Sequence, residues 1–454
     1  MTIELNIYTG QLNYSNVDCL FVFDGKELRL IFPKDKRSKN NMQWISTSPE
    51  MNESYLIGKC NENGHTLIFI IKQGDEIGCE NSVLLVKIVA YIDCKDDREE
   101  IGRITFSSPE INYIHPVNQL YNYSIDEKKG VFSLTTLGND STTTKKQTFK
   151  VNDANIQVQF GLSKRFSKKI GEIPISLNSV MSFEFDMTKD YAFIMKLWYI
   201  AKEFIQFLCY RKNVFLPIAE LFAPDEGGKQ KKFATLYVLD ETGDSEPETS
   251  KKGRPIKQEY ISGFEGKILR DIADNRLYTR HLPNTFESRK HKDVAQFIMI
   301  ITAFEWEFRR AYPDGIPKKE ATIKVETNAT KAIQSLIESS TGKLKKKYKS
   351  LKKLIKSDSL SNEIEKIGKD FAEVIGKFGK ELYHKNKENL VYSEIGKRLA
   401  FQRNHFAHGD LDEEFIGQSL TDLLYIEYVV YVMQLRFYGI DDINIERSTN
   451  ELFF

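Results

Sequence analysis

The 454-residue chain sets 65 Lys and Arg against 64 Asp and Glu, a formal net charge of +1, and is 41% hydrophobic and 28% charged. These values are ordinary for a soluble globular protein, and the length suits about two or three domains, each with its own core. Five cysteines (Cys19, Cys60, Cys79, Cys94, Cys209), odd in number and never in CxxC spacing, exclude a disulfide framework and a thiolate zinc site. No HExxH, GxGxxG or Walker-type glycine loop is present, so no metal and no cofactor is expected.

The opening MTIELNIYTG has no basic region followed by an apolar run, so no secretory signal is expected and the location is read as cytoplasmic. From there to about residue 187 the chain reads as β. CLFVF and ELRLIF flank Asp24-Gly25, YLIGKC and HTLIFII flank Asn63-Gly64, and SVLLVKIVAYI, GRITF, VFSLTTL, NIQVQFGL and SFEFDM follow. Runs rich in β-branched and aromatic residues, separated by turn chemistry, are strands and hairpins. Many of them without intervening helices predict an antiparallel, sandwich-like or barrel-like domain. His65 and His115 stand alone there and read as structural.

Residues 188–213 switch to helical periodicity, with Phe193, Leu197, Ile200, Phe204 and Phe207 sharing a side, which predicts a helix packed on the β domain. A strand follows at 233–239, then the polar run ETGDSEPETSKKGRP, short of apolar anchors, which reads as a linker. The expected organisation is therefore a β-rich domain over 1–240, a linker over 241–259 and a helical domain over 260–454.

In the helical part, DVAQFIMIITAFEWEFRRAY places Phe297, Ile301, Phe304 and Phe308 in one core stripe with Glu305 adjoining it. Residues 318–356 hold twelve Lys and three Glu, a local net of +9. That segment is either a solvated basic helix pair or a phosphate-facing surface, with Lys345, Lys346, Lys347 and Lys349 as RNA-binding candidates. SLSNEIEKIGKDFAEVIGKFGKEL, YSEIGKRLAFQRNHFAH and EEFIGQSLTDLLYIEYVVYVMQLRFY supply three more long helices. The last is apolar enough to be largely buried, but Glu427, Gln434 and Arg436 interrupt it, which argues against a membrane span, and no membrane partner is expected. Four principal helices make a bundle, and the chain as a whole is α+β.

RNHFAHGD, Arg403 to Asp410, concentrates chemistry near the end of the third helix. Spacing alone is weak, because chance gives about a quarter of an Arg followed five positions later by His, and Arg276 with His281 forms a second such pair. That second pair runs into Pro283 and reads as surface or loop. Asn404 and His408 share a helix face, whereas Arg403 lies about 140° from His408, so the helix must end or distort for the two to converge. Gly409 is the expected left-handed residue past a helix C-terminus, where the dipole favours imidazolium. Arg398 and His405 also fit the spacing. The polar Asn404 after Arg403 and the Gly409 after His408 favour the later pair. The plainer reading is that these basic residues decorate a helix end.

A four-helix bundle with RNxxxH at the end of its third helix, then a Gly and an apolar final helix, resembles the HEPN superfamily, many of whose members are metal-independent ribonucleases. A β-rich N-terminal half, a helix ending in YRKN, a strand and then such a bundle further resembles the ApeA-like anti-phage proteins. The resemblance implies an RNA endonuclease acting as an abortive-infection effector, active as a homodimer, with a phage-derived trigger sensed by the β domain. The alternative is a HEPN-like nucleic-acid-binding or regulatory protein that keeps the motif without cutting. Chemically, His408 suits proton transfer and the planar Arg403 guanidinium suits a phosphate clamp. Asn404 is expected to orient His408 or the phosphate through its amide, Glu305 could hold Arg403 by a bidentate pair, and His405 is a second candidate for proton transfer.

Overall fold

The computed structural model describes residues 7–33, 54–71, 78–80, 83–96, 98–119, 121–136, 143–239, 254–355, 359–407 and 415–453. The fold is α+β, an antiparallel β region followed by a helical region. Two compact units divide the chain, one comprising Met1–Leu277 with Asn284–Phe286, the other Tyr278–Pro283 with Glu287–Phe454. Residues 260–277, placed in the helical domain from sequence, thus group with the β-rich unit.

The first unit is built on β1 (Tyr8–Tyr14), β2 (Val17–Phe23), β3 (Glu27–Ile31), β4 (Tyr55–Cys60), β5 (Thr66–Ile71), β6 (Gly78–Glu80) and the long β7 (Val83–Cys94). The first half of β7 pairs with β3, from Val83↔Ile31 to Lys87↔Glu27, and its second half pairs with β5, from Ile88↔Ile71 to Cys94↔Thr66. Because β1 joins β2 to β4, the order β7-β3-β2-β1-β4-β5 closes on itself as a six-stranded barrel. Of the sandwich-like and barrel-like arrangements expected from sequence, the barrel is found and the sandwich is corrected: one strand long enough to pair along both edges closes the sheet instead of leaving two stacked layers.

Alternation along β1 and β2 turns Leu12, Phe21 and Phe23 inward against Leu28, Leu56, Phe69 and Tyr91, while polar residues such as Gln11 and Asp18 face out. The Phe21 ring lies so close over Gly10 and Gly58 that a Cβ at either position would sit 2.5 or 2.7 Å from it. Only glycine leaves room for that ring.

From β7 the sheet continues through β15 (Gln230–Val238), β14 (Ile218–Pro224), β8 (Ile101–Phe106), β13 (Ile175–Thr188), β12 (Ala154–Phe166) and β11 (Gln147–Val151). Two further strands, β9 (Tyr121–Asp126) and β10 (Val131–Thr136), form a separate hairpin. Among the described residues, the α-helices of this unit are α1 (Pro109–Ile114), α2 (Tyr191–Cys209) and α3 (Glu265–Ala273). The expected helix is α2, capped by Asp190 and burying Leu197, Trp198, Ile200, Phe204 and Phe207, with the Trp198 indole donating to the Leu216 carbonyl at 2.8 Å. A buried ion pair, Arg211 to Glu110 at 3.0 Å, ties the end of α2 to α1.

The expected linker is corrected at its C-terminal end. Ile256 is fully buried and its amide donates to the Leu208 carbonyl, so 254–259 packs as part of this unit. Residues 241–253 lie outside the described residues.

The second unit contains α4 (Val294–Ala311), α5 (Glu320–Ser339), α6 (Gly342–Ile355), α7 (Leu360–Asp370), α8 (Ala372–Lys385), α9 (Tyr392–Ala407), α10 (Ser419–Phe437) and α11 (Asp442–Phe453). The stripe Phe297, Ile301, Phe304 and Phe308 on α4 is buried as expected. Helix α10 is central, packed by α4, α8, α9 and α11, which is why it is apolar nearly all round. The second long helix expected from sequence is two helices. Phe371 leaves helical geometry (φ −112°, ψ 13°), so α7 packs on α9 while α8 packs on α10. The approach of α7 to α9 is so close that a Cβ on Gly396 would sit 2.3 Å from the Ser361 Cα. Among the described residues, no helix is long and apolar enough to cross a membrane.

Candidate functional site

Helix α9 presents Ile395, Leu399, Gln402 and Phe406 to the core at i, i+4, i+7 and i+11. Arg403 then falls about 70° to one side of that stripe, with Arg398 and His405 on the other side and Asn404 pointing away. Each flank meets a different carboxylate.

On one flank, Arg398 forks onto Asp422 of α10, with Nε to Oδ2 at 2.7 Å and Nη2 to Oδ1 at 2.7 Å. Asp422 is 0% exposed and also accepts from the Tyr383 hydroxyl of α8. Burial pushes the Tyr383 phenol far above its ordinary value, so it stays protonated and donates. The triad joins α8, α9 and α10 around one buried negative charge, and such a charge requires both partners.

On the other flank, Arg403 Nη1 meets Glu305 Oε1 at 2.7 Å, the partnership suggested from sequence. The expected bidentate geometry is replaced by a single close contact, with the second carboxylate oxygen 3.9 Å from Arg309 Nη2. The Arg403 side chain is 43% exposed and that of Glu305 27%, so the guanidinium is aimed but not sealed. Two residues on, Glu307 faces the opposite way. It is buried, bonded to Arg310 at 2.9 Å and Gln434 at 3.1 Å, and burial raises its carboxyl above the usual range.

Helix α9 is described through Ala407. His408, Gly409 and Asp410 lie outside the described residues. The chain re-enters beside the same turn, where the Ile416 amide donates to Gln402 Oε1 at 2.9 Å and the Phe415 ring packs edge-on to Phe406 at 5.8 Å. Asn404 is exposed, and His405 stacks on Phe401 with ring centroids 6.1 Å apart. Lys346, Lys347 and Lys349 are exposed on α6, and Lys345 is half-buried.

Sequence reading missed Asp422 and Tyr383. The available signal was an acid in the first turn of a mostly apolar helix, SLTDLLYIEYVV, where a buried charge is tolerated only when paired. Of the second Arg–His pair, both members lie outside helices and strands as expected; Arg276 is exposed, whereas His281 is buried, stacked on Tyr278 at 5.9 Å. His65 bonds Asp93 at 2.6 Å within the barrel. Among the described residues, no three His, Cys, Asp or Glu side chains are gathered as a metal would require. Comparison with protein-family models, with curated proteins and with solved structures gives no match.

Proposed function

We propose that this protein is a metal-independent RNA endonuclease of the HEPN type, in which Arg403 clamps the scissile phosphate and His408 moves the proton. The observation that carries this reading is the Glu305–Arg403 pair. A carboxylate on a neighbouring helix holds a half-exposed guanidinium near the end of α9, five residues before His408. Arg398, the competing arginine, is already committed to a fully buried aspartate.

In this reaction the RNA 2′-oxygen forms a bond to the adjacent phosphorus and the bond from phosphorus to the 5′-oxygen breaks, leaving a 2′,3′-cyclic phosphate and a 5′-hydroxyl. One group takes the 2′ proton, another protonates the leaving oxygen, and the guanidinium stabilises charge on the phosphoryl oxygens. Each chain supplies one His408, while His405 lies against Phe401. We therefore assign the second imidazole to the His408 of a second copy, in a homodimer with a composite site. The β-rich unit, in this reading, responds to a phage-derived trigger and restrains the nuclease until infection.

Purified protein incubated with a mixed RNA panel should cut in excess EDTA, and His408→Ala should abolish cutting with the melt unchanged. Light scattering should give about twice the 52.6 kDa chain mass. Loss of cutting on chelation, restored by Mg²⁺, would overturn the mechanism. A folded protein that binds RNA without cutting any of it would leave a binding or regulatory role. An active monomer would move the second proton transfer to His405.

A further inference from the structure

Helices α5 and α6 form a hairpin whose two members pack principally on each other. Over Gly342–Ile355, α6 carries seven Lys and no acidic residue, with Leu344, Tyr348, Leu351 and Ile355 at i, i+4, i+7 and i+11. A single neighbouring helix covers only part of that stripe. Lys352 reaches across to Gln334 of α5 at 2.7 Å, while Leu344 stays 54% exposed and Leu351 46%. On α5, Ile323 and Leu336 are also exposed, at 50% and 43%.

An apolar flank bordered by lysines narrows the choice of what covers it. A second copy of the hairpin would oppose like charges. RNA would satisfy the lysines through its phosphates, but α6 has one aromatic ring and no arginine with which to stack on or fork a nucleotide, and the exposed leucines would have no role. An anionic bilayer surface offers both halves of the match, headgroup charges for lysine and the acyl boundary for leucine.

We propose that the α5–α6 hairpin docks peripherally on an anionic lipid surface. Helix α6, about 21 Å long, lies in the interface plane with Leu344 and Leu351 turned toward the acyl chains. This revises the expectation of no membrane partner without requiring a span, and it is independent of the ribonuclease reading.

The test is co-sedimentation of the full chain with vesicles of phosphatidylcholine alone, and with vesicles in which phosphatidylglycerol makes up roughly a third of the lipid. The protein should pellet with the anionic vesicles, not with the neutral ones, and be released by high salt. Replacing Lys343 and Lys347, which border the leucines on the helix surface, together by Gln should weaken vesicle binding about 30-fold. Leu344→Ser with Leu351→Ser should weaken it about 10-fold while leaving RNA retention on a filter unchanged. All four positions are largely solvent-facing, so circular dichroism should stay that of the parent protein. Failure to pellet with anionic vesicles, equal binding to neutral ones, or indifference to the leucine pair would overturn the proposal. RNA retention lost in the lysine variant of a protein that never binds vesicles would assign the hairpin to RNA instead.

Discussion

Arg398 and Arg403 stand five residues apart on one helix, and each meets a carboxylate at 2.7 Å. Distance does not separate them, but burial does. Asp422 is sealed among three helices, so its charge depends on Arg398 and Tyr383 for compensation, whereas Glu305 is 27% exposed and water shares the work. An ion pair sealed in the core and one left half open to water can look alike by distance alone. They differ in what is left behind when one partner is removed.

Breaking the first pair should have the largest effect. Arg398→Ala leaves Asp422 buried beside a neutral phenol and should cost about 3–5 kcal/mol in denaturant unfolding. A loss below about 1 kcal/mol would show that Asp422 finds water or another cation. Breaking the second pair should reverse the pattern. Arg403→Ala should change unfolding by no more than about 1 kcal/mol, yet slow RNA cleavage by about 100-fold or more. If stability and activity fell together, the two arginines would be doing the same job.

Glu305→Gln sharpens the contrast, since it retains the side-chain shape and removes the charge that aims Arg403. Cleavage should fall about 10-fold, less than on removing Arg403 itself, with folding unaffected. An unchanged rate would mean that the guanidinium is positioned by other contacts. The smallest effect belongs to the barrel. There the Cys60 thiol and then Thr9 hold the exposed Glu62 carboxyl at about 2, down from 4.5. The folded state binds fewer protons there than the unfolded chain, so this contribution is present above pH 4.5 and is lost as pH falls toward 2. Glu62→Gln should flatten the acid side of the stability profile slightly, and a profile identical to the parent's would show that these hydrogen bonds contribute nothing.

Much of the fold was legible because it follows from local periodicity. The inward alternation of CLFVF, the continuously buried run of HTLIFII, the stripe Phe297, Ile301, Phe304 and Phe308, and the largely apolar final long helix each reflect contact with a core, and each was found in place. β1, β6, β9, β11 and β14 were missed. YTGQLNY carries Gly10, Gln11 and Asn13 and becomes a strand only because Val17–Phe23 and Tyr55–Cys60 pair with it on both sides. The break at Phe371 was missed as well, since 359–382 keeps good helical periodicity through it and the kink pays off only when α9 and α10 are both present to be packed.

Closure of the barrel, the partition of 254–277 into the first unit, and the meeting of Glu305 with Arg403 across 98 residues of chain were decided by tertiary structure. The sequence by itself determined which residues face a core and where acid, base and guanidinium chemistry is concentrated, since those follow from side-chain type and spacing along one element. Which arginine is sealed and which is left able to act depends on how deeply its partner is buried, and burial arises only when elements distant in sequence pack against one another.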